Sequence, residues 1–444
     1  MKLIHHGAHE GVTGSCHQLV WQRNKSLLVD CGIFQGDDAL KNPNPEINFS
    51  LSGIESLLLT HVHIDHVGRV PYLLAAGFDK PIYCSGPTAR LLPLVMEDAL
   101  KIGFTRSRNL INRFLKHIGK LLHPLPYYTW HKIAGDVQIR LRPAGHVLGS
   151  TIFEIQLPGG ERVVFSGDVG TGNDPLLRKP SSPEKADLLV LESTYGDKLH
   201  ETSEDRQKTL EAVLRKTLHN KGVTIIPAFS LGRTQSLLYE MNGIFERVQE
   251  TEGRTLMKQI DVIVDSPLAS RFTELYKEMR DFWSVEAQHL MRTDDQPLVF
   301  ENLTTVGDHR EHRDILDYLD QHQLPAIVIA GSGMCTGGRV VNYLKRFLNH
   351  QNTDIVFVGY QARGTPGHQI SRGSQWVRLD GRKYEIASEI HRIHGYSAHG
   401  DQAGLIEFVQ AMADAPKQIR LVHGEYQPKR TFAEKLTEIG FDVI

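Results

Sequence analysis

Three histidines and an aspartate share one short junction of the sequence, and this junction limits what the chain can fold into. Residues 61–66 read His-Val-His-Ile-Asp-His, directly after the apolar run SLLLT and directly before a helical pattern. Alternate residues of a chain that leaves a strand point the same way, so His61 and His63 can chelate one ion. Asp65 and His66, where the chain turns into the helix, then face a second ion. The junction predicts two divalent metals side by side at the end of a strand.

Other apolar runs end in residues that can complete such a site. His146 follows VQIRLR, Asp168 follows ERVVF and His423 follows QIRL. Each is a weak signal alone, because a single histidine at a strand end is more often a hydrogen-bonded structural residue. Together with residues 61–66 they indicate a metal centre built from several strand ends.

The order of apolar runs predicts an α/β chain with two domains. The first part alternates short strands with helical patterns, which indicates sheets covered by helices. From about residue 203, longer helical segments separate buried runs such as VTIIPAF and AIVIAGSG, a rhythm typical of a parallel sheet with flanking helices. Shorter strands return after about residue 372. We therefore expect one domain formed by residues 1–202 and 373–444, with a second inserted at 203–372.

Composition excludes several classes of protein. The chain has 444 residues, 40% hydrophobic and 23% charged, which is typical of a globular protein with a large core. The net charge of -2 provides no global positive field, so a polyanionic partner has to meet a local basic patch. There is no signal-peptide pattern and no apolar run long enough to span a bilayer, so we expect a cytoplasmic protein without membrane contact.

Three motifs carry a family resemblance. HVHIDH, GHVLGS and SGDVG resemble successive metal motifs of the metallo-β-lactamase fold. The resemblance implies an αββα sandwich with a dinuclear site at one edge, where we expect two Zn²⁺ per chain, with Mn²⁺ as the alternative. It also implies the ligand sets: Asp168 bridges both ions, the first ion is held by His61, His63 and His146, and the second by Asp65, His66 and His423.

Further motifs resemble the β-CASP nucleases of that superfamily. LESTYGD with Glu192, GYSAHGD with His399 and LVHGE with His423 resemble motifs A, B and C. PAFSLGRTQ, VDSPLA, GSGMCTGGR and GYQARGTPG are similar to the inserted β-CASP domain. Family members that act on RNA carry histidine at motif C, so His423 implies RNA processing, with single-stranded RNA as the partner. The resemblance leaves two kinds of protein partner open: a second copy of the chain in a homodimer, or the subunits of a processing complex.

The charge of the expected site favours phosphodiester hydrolysis. Two divalent cations less the carboxylates of Asp65 and Asp168 leave a positive pocket, in which a metal-bound hydroxide can attack a phosphodiester. The leaving 3′-oxygen benefits from a proton donor, and His399 is the candidate general acid. Glu192 can orient that imidazole and raise its pKa. With Asp65, these two residues form the predicted catalytic set of a zinc-dependent endoribonuclease.

Two glycine-containing loops are candidates for substrate binding. SLGR and GSGMCTGGR follow predicted strands and precede helical patterns, so their backbone amides and arginines can cradle phosphates. Glycines at strand ends also simply make tight turns. The candidate substrate-binding residues are Ser230, Arg233, Ser332, Gly333 and Arg339.

A basic segment lies outside these motifs. Residues 101–120 hold six lysines and arginines and no acidic residue, interleaved with Phe104 and Phe114. Such a segment suits a surface that grips a phosphate backbone and stacks bases. A solvated amphipathic helix is the alternative.

Three other functions compete with an endoribonuclease. A 5′ to 3′ exoribonuclease would use the same site. A small-molecule metallohydrolase does not need so large an inserted domain. A metal-free RNA-binding subunit would have lost ligands, whereas all seven proposed ligands are present in this sequence.

Overall fold

The protein is described here by a computed structural model that covers residues 1–252, 259–291, 296–322 and 324–444. Contacts divide the chain into two compact units, Met1–Leu199 with His399–Ile444, and His200–Ala398. The second unit is therefore inserted into the first. Among the described helices, none combines the length and the apolar character needed to cross a membrane.

The first unit contains two six-stranded sheets. The first sheet has the order β1 (Lys2–Gly7), β2 (Cys16–Gln22), β3 (Lys25–Val29), β4 (Ile54–Leu58), β5 (Ile82–Ser85) and β6 (Leu122–Leu125). The second has the order β20 (Gln418–Val422), β11 (Leu188–Glu192), β10 (Arg162–Phe165), β9 (Thr151–Gln156), β8 (Gln138–Pro143) and β7 (His131–Lys132). The helices are α1 (Gly36–Lys41), α2 (Ile64–Val67), α3 (Val70–Ala75), α4 (Gly86–Gly103), α5 (Arg108–Leu121), α13 (Gln402–Gln410) and α14 (Tyr426–Glu438).

Apolar residues from both sheets form the main core of this unit. Leu27 and Leu58 of the first sheet pack with Phe153 and Phe165 of the second. The other face of the second sheet packs against α13 and α14 through a separate apolar cluster, while α4 packs on β5 and β6 of the first sheet. Helix, sheet, sheet and helix thus form the αββα sandwich expected from the sequence.

The second unit has one six-stranded sheet in which every pairing is parallel. Its order is β14 (Leu303–Thr305), β13 (Asp261–Asp265), β15 (Ala326–Ala330), β12 (Val223–Pro227), β16 (Thr353–Phe357) and β19 (Glu389–Arg392), with a separate antiparallel hairpin of β17 (Trp376–Leu379) and β18 (Arg382–Glu385). The helices are α6 (Ser203–Asn220), α7 (Arg233–Glu252), α8 (Pro267–Glu278), α9 (Val285–Leu290), α10 (His309–His322), α11 (Arg339–Phe347) and α12 (Pro366–Ser371). The central strands β12, β15 and β16 are buried along their whole length, as expected for a parallel sheet covered on both faces.

The segment between residues 373 and 398 packs with the second unit. The sequence places it in the first domain, because short strands return there. In the structure β19 pairs with β16, and Val377 and Leu379 of β17 belong to the apolar core of the second unit. Pairing and core contacts therefore extend the inserted unit to Ala398.

Candidate metal centre and active site

The first candidate metal position is built where β4 leads into α2. His61 lies just beyond β4, and His63 is the residue that precedes the first turn of α2. His61 Nε2 lies 3.2 Å from His63 Nδ1, and His146 Nε2 lies 3.0 Å from the same His63 atom. Oδ2 of Asp168 faces this group, 3.5 Å from His61 Nε2 and 3.4 Å from His146 Nε2. These four side chains can hold one ion.

The second candidate position shares Asp168. Its other oxygen, Oδ1, lies 3.2 Å from His66 Nε2 and 3.0 Å from His423 Nε2. His423 Nε2 is also 3.9 Å from Oδ2 of Asp65. Asp65, His66 and His423 can hold an ion together. Asp168 therefore directs one carboxylate oxygen toward each group of ligands, which is the arrangement of a bridging carboxylate.

The hydrogen bonding and spacing of three atoms in this site show whether a metal ion fits. Within the described part of the chain, His66 Nε2, His423 Nε2 and Asp168 Oδ1 are buried, and none of them forms a hydrogen bond of suitable geometry, although the two nitrogens lie 3.2 and 3.0 Å from the oxygen. Buried polar atoms that lack a partner are costly. Ligands at about 2.1 Å from a tetrahedral zinc lie about 3.4 Å from one another, close to the spacings between these atoms. The residues therefore fit a metal ion.

The electrostatics of the pocket also favour cations. Burial lowers the pKa of His63 to about 4, so this imidazole is neutral and one ring nitrogen has a lone pair available for a metal ion. Burial would raise the pKa of the Asp168 carboxyl, but the imidazoles of His423 and His66 outweigh it and hold the pKa well below its usual range. Although burial works against it, the Asp168 charge raises the pKa of His423 to about 9. A buried carboxylate that stays ionised and stabilises positive charge on its neighbours also attracts metal ions.

Asp30 orients the candidate ligand His66 through a hydrogen bond. The sequence analysis missed this residue. This buried residue follows β3 and accepts hydrogen bonds from Thr60 N at 2.8 Å and from His66 Nδ1 at 2.7 Å. His66 therefore presents Nε2 to Asp168. Gly32, two residues further on, lies so close to the Asp65 carbonyl that an added Cβ would be 1.5 Å from that oxygen. The aspartate at the end of the run KSLLVD was the available signal for this support.

His399 and Glu192 lie beside the candidate metal positions. His399 Nδ1 is 3.1 Å from both carboxylate oxygens of Glu192 and 3.9 Å from Asp168 Oδ2. Glu192 is fully buried and also accepts from Val169 N at 2.7 Å. Burial disfavours the charged imidazole, but the Glu192 and Asp168 charges outweigh it and raise the pKa of His399 above its usual value. The imidazole is therefore suited to carry a proton near neutral pH.

The five predicted substrate-binding residues belong to the second unit and follow the carboxyl ends of adjacent strands. Ser230 follows β12, and its hydroxyl is 2.9 Å from that of Ser266. Ser332 and Gly333 follow β15. Arg233 begins α7 and Arg339 begins α11. Ligands of parallel sheets bind at such strand ends.

Arg339 is held by a buried carboxylate that the sequence analysis did not single out. Its guanidinium donates to Asp265 Oδ1 at 2.5 Å. The other oxygen, Oδ2, accepts from the Tyr343 hydroxyl and from His312 Nδ1, each at 2.5 Å. Burial opposes the charged form, but these hydrogen bonds outweigh it and keep the pKa of Asp265 below its usual value. Asp265 therefore offsets the charge of Arg339 and fixes its side chain. The motif VDSPLA contains this residue.

Family profiles match nearly the whole chain. A profile of the metallo-β-lactamase superfamily matches residues 18–219. A Beta-Casp domain profile matches residues 234–370, and a profile described as a Zn-dependent metallo-hydrolase RNA specificity domain matches residues 383–444.

Named relatives agree with these profiles. The chain is 34% identical to Ribonuclease TTHA0252 of Thermus thermophilus, over 99% of this chain and 95% of the relative. It is 29% identical to Transcription termination factor FttA of Methanosarcina mazei and 30% identical to FttA of Methanocaldococcus jannaschii, covering 66% and 65% of those longer proteins. A protein of unknown function from Enterococcus faecalis shares the fold, with a TM-score of 0.52 at 13% identity over 100% of this chain and 97% of its own.

Fold, candidate site and relatives together define a class of metal-dependent hydrolases. The chain belongs to the metallo-β-lactamase superfamily and, within it, to the β-CASP family. The fold class and the family predicted from the sequence are confirmed.

Proposed function

We propose that the chain is a zinc-dependent endoribonuclease that hydrolyses internal phosphodiester bonds of single-stranded RNA. The observation that carries the proposal is Asp168, which directs one oxygen to each of two groups of candidate ligands. The RNA specificity profile and the relative named a ribonuclease support RNA as the substrate. Cytoplasmic location, and a homodimer or processing-complex subunits as partners, belong to the same proposal.

Seven residues would hold two Zn²⁺ ions, with Mn²⁺ as the substitute. The two ions, when bound, supply Lewis acidity to the phosphate and lower the pKa of water at the site. His61, His63 and His146 would hold the first ion, Asp65, His66 and His423 would hold the second, and Asp168 would contribute to both.

Asp65 has a second role in this proposal. Its side chain is 18% exposed, whereas the side chains of His423 and Asp168 are 3% and 2% exposed. Asp65 thus lies toward the accessible side of the pocket, where it can orient the attacking water and accept its proton.

His399 donates a proton to the 3′-oxygen that leaves. Glu192 engages Nδ1 of the imidazole, so Nε2 is the atom that transfers the proton. The raised pKa of His399 keeps the cationic form populated. Glu192 acts through His399 and is therefore a positioning residue.

In the second unit, Ser230, Arg233, Ser332, Gly333 and Arg339 would contact the phosphates of the RNA strand. Their placement at the ends of β12 and β15 supports this role. The anchoring of Arg339 by Asp265 pre-orients its guanidinium.

Two labelled RNAs test the proposal. A single-stranded RNA is labelled uniformly in one reaction and at its 5′ end in the other, and wild type is compared with His399→Ala at equal metal content. We expect internal fragments from wild type, about two zinc per chain in both proteins, and a rate loss of about 10²- to 10⁴-fold in the variant. Mononucleotides released from the 5′ end would indicate an exonuclease instead. No cleavage by fully metallated wild type would show that the proposal is wrong, and loss of zinc in the variant would make His399 a ligand.

A further inference from the structure

The helical hairpin formed by α4 and α5 carries a concentrated positive charge. Residues 101–120 include six cations and no acid, in a chain whose net charge is -2. Lys101 pairs with Glu97 of its own helix at 2.6 Å. The other five cations, Arg106, Arg108, Arg113, Lys116 and Lys120, form no side-chain hydrogen bond or ion pair with any residue that the structure describes. Their charge is directed to solvent.

Three of the four cations of α5 lie on one face. Ile111 and Ile118 are the buried residues of this helix. At 100° per residue, Arg113, Lys116 and Lys120 lie within about 60° of one another, on the face opposite these isoleucines. They extend over about 10 Å along the axis. A row of unpaired cations on an exposed helix face matches the regular negative charges of a nucleic acid backbone.

The tip of the hairpin adds exposed apolar side chains. Phe104 is 43% exposed and lies between the two helices in the sequence, and Ile102 and Leu110 flank it with 82% and 52% exposure. An exposed aromatic ring beside cations provides a stacking surface for an unpaired base.

The hairpin is attached to the segment that carries the candidate ligands. The Phe104 ring packs on Tyr72 with 4.3 Å between centroids. Tyr72 belongs to α3, which begins at Val70 shortly after the candidate ligand His66. At the other end of the hairpin, Ser85 and Thr88 at the start of α4 donate to the Gly149 carbonyl at 2.6 and 3.0 Å, in the loop that carries His146. The hairpin is therefore anchored at both ends to segments that carry candidate ligands.

From these observations we propose that the α4–α5 hairpin is a second RNA contact surface, which binds the phosphate backbone of the single-stranded substrate away from the bond that is cut. The inference rests on the proposed function, since the substrate is the same RNA. The charge row supplies sequence-independent affinity and Phe104 supplies stacking.

A variant that replaces three cations of α5 with neutral glutamine tests the role of their charge. We compare Arg113→Gln/Lys116→Gln/Lys120→Gln with Lys208→Gln/Lys277→Gln/Lys435→Gln, which removes the same charge from cations paired on other helices. The affinity for an unstructured 30-nucleotide RNA is measured by fluorescence anisotropy at several salt concentrations, with zinc-loaded protein in a His399→Ala background. Removal of three backbone contacts should reduce the slope of log affinity against log salt by about 2 and weaken binding on the order of 100-fold at low salt. The control should retain the wild-type slope.

Phe104→Ala separates stacking from charge. It should weaken RNA binding about tenfold and leave the salt slope unchanged. Circular dichroism and thermal unfolding establish that each variant is folded. A hairpin variant that keeps the parent protein's RNA affinity and salt slope overturns the inference. The same conclusion holds if that variant loses binding to phosphatidylglycerol vesicles, because the surface would then bind a membrane. If wild type cleaves RNA in that case, the proposed function stands. If wild type neither binds nor cleaves RNA, both proposals are wrong.

Discussion

At the scale of single residues, the site depends on carboxylates that fix the orientation of imidazoles. Asp30 engages Nδ1 of His66, and Glu192 engages Nδ1 of His399. Each carboxylate is buried, so it acts on its histidine with little screening by solvent. The two histidines have similar supports and different proposed tasks, metal binding and proton transfer.

Asp30→Asn should weaken zinc binding about 10- to 100-fold, because a supporting carboxylate sets the tautomer and the basicity of a ligand histidine. The affinity is measured by competition with a chromophoric chelator. Asp37→Asn on the exposed side of α1 is the matched control and should bind zinc as wild type does. Equal affinities for wild type and Asp30→Asn would contradict the role given to Asp30.

Glu192→Gln should keep the zinc and lower the cleavage rate. Loss of the negative charge lowers the pKa of His399, which the Glu192 carboxylate raises in the wild type. A general acid has to be protonated, so activity falls as the pH rises through its pKa. The fall should therefore begin at a lower pH in Glu192→Gln than in wild type.

The control for this pH profile is Glu286→Gln on the exposed surface of α9, which should reproduce the wild-type curve. If Glu192→Gln loses activity equally at every pH, Glu192 has only a structural role.

Sequence alone predicted the candidate reactive side chains and the supporting Glu192, but missed the supporting carboxylate of Asp30. His61 and His66 stand in one dense motif, so their chemistry is visible without a structure. Asp30 lies far from His66 in the sequence, and only the pairing of β3 with β4 brings the ends of these strands together. A single aspartate after an apolar run does not reveal which neighbouring strand end it meets.

At the scale of elements, the sequence predicts the long buried strands but does not show which sheet a short strand joins. Long apolar runs such as β12 and β15 have the length and burial of central parallel strands, and the sequence predicts them. β19 has exposed and half-buried residues only, so its pattern does not indicate the sheet it pairs with. Its position is fixed by long-range contacts, above all those of Asp354.

Asp354 joins three elements of the second unit. It is a buried residue of β16 that accepts from Lys216 Nζ of α6 and from His391 Nε2 of β19, each at 2.6 Å. Asp354→Asn should destabilise the second unit by about 2–3 kcal/mol, less than for a fully buried pair because Lys216 is partly exposed. Denaturant unfolding followed by hydrogen exchange measures the loss.

The effect of Asp354→Asn should depend on pH. Burial opposes the charge of Asp354, but the hydrogen bonds from His391 and Lys216 outweigh it and lower the pKa. Its stabilisation is therefore complete above the ordinary pKa of aspartate, about 4, and is lost as the pH falls through the lowered value. The stability difference from wild type should stay constant down to about pH 4 and narrow below it. Asp314→Asn, whose carboxylate is 70% exposed beside Arg310, should change stability by less than about 0.5 kcal/mol.

At the scale of the whole molecule, one unit carries all seven proposed zinc ligands. His61 to Asp168 and His423 lie within Met1–Leu199 and His399–Ile444, which form the first unit. The proposed phosphate contacts from Ser230 to Arg339 lie in the second. We therefore expect zinc binding at these seven residues to stabilise the first unit.

Removal of metal should destabilise only the first unit. An ion that binds the folded state stabilises it by RT ln(1 + [L]/Kd), about 4 kcal/mol when the ion is at 1,000 times its Kd. Without ions, Asp168 and its imidazoles keep buried atoms without partners. A chelator should therefore accelerate hydrogen exchange in β4, β10 and β20, whose ends carry ligands, and lower the thermal transition of the first unit. Peptides from β12 and β15 serve as the internal control, with unchanged exchange. Equal acceleration of exchange in both units would show that the metals stabilise the chain as a whole. No change in either unit would mean that these residues hold no ion. Restoring zinc should reverse the acceleration, because the ligands themselves remain in place.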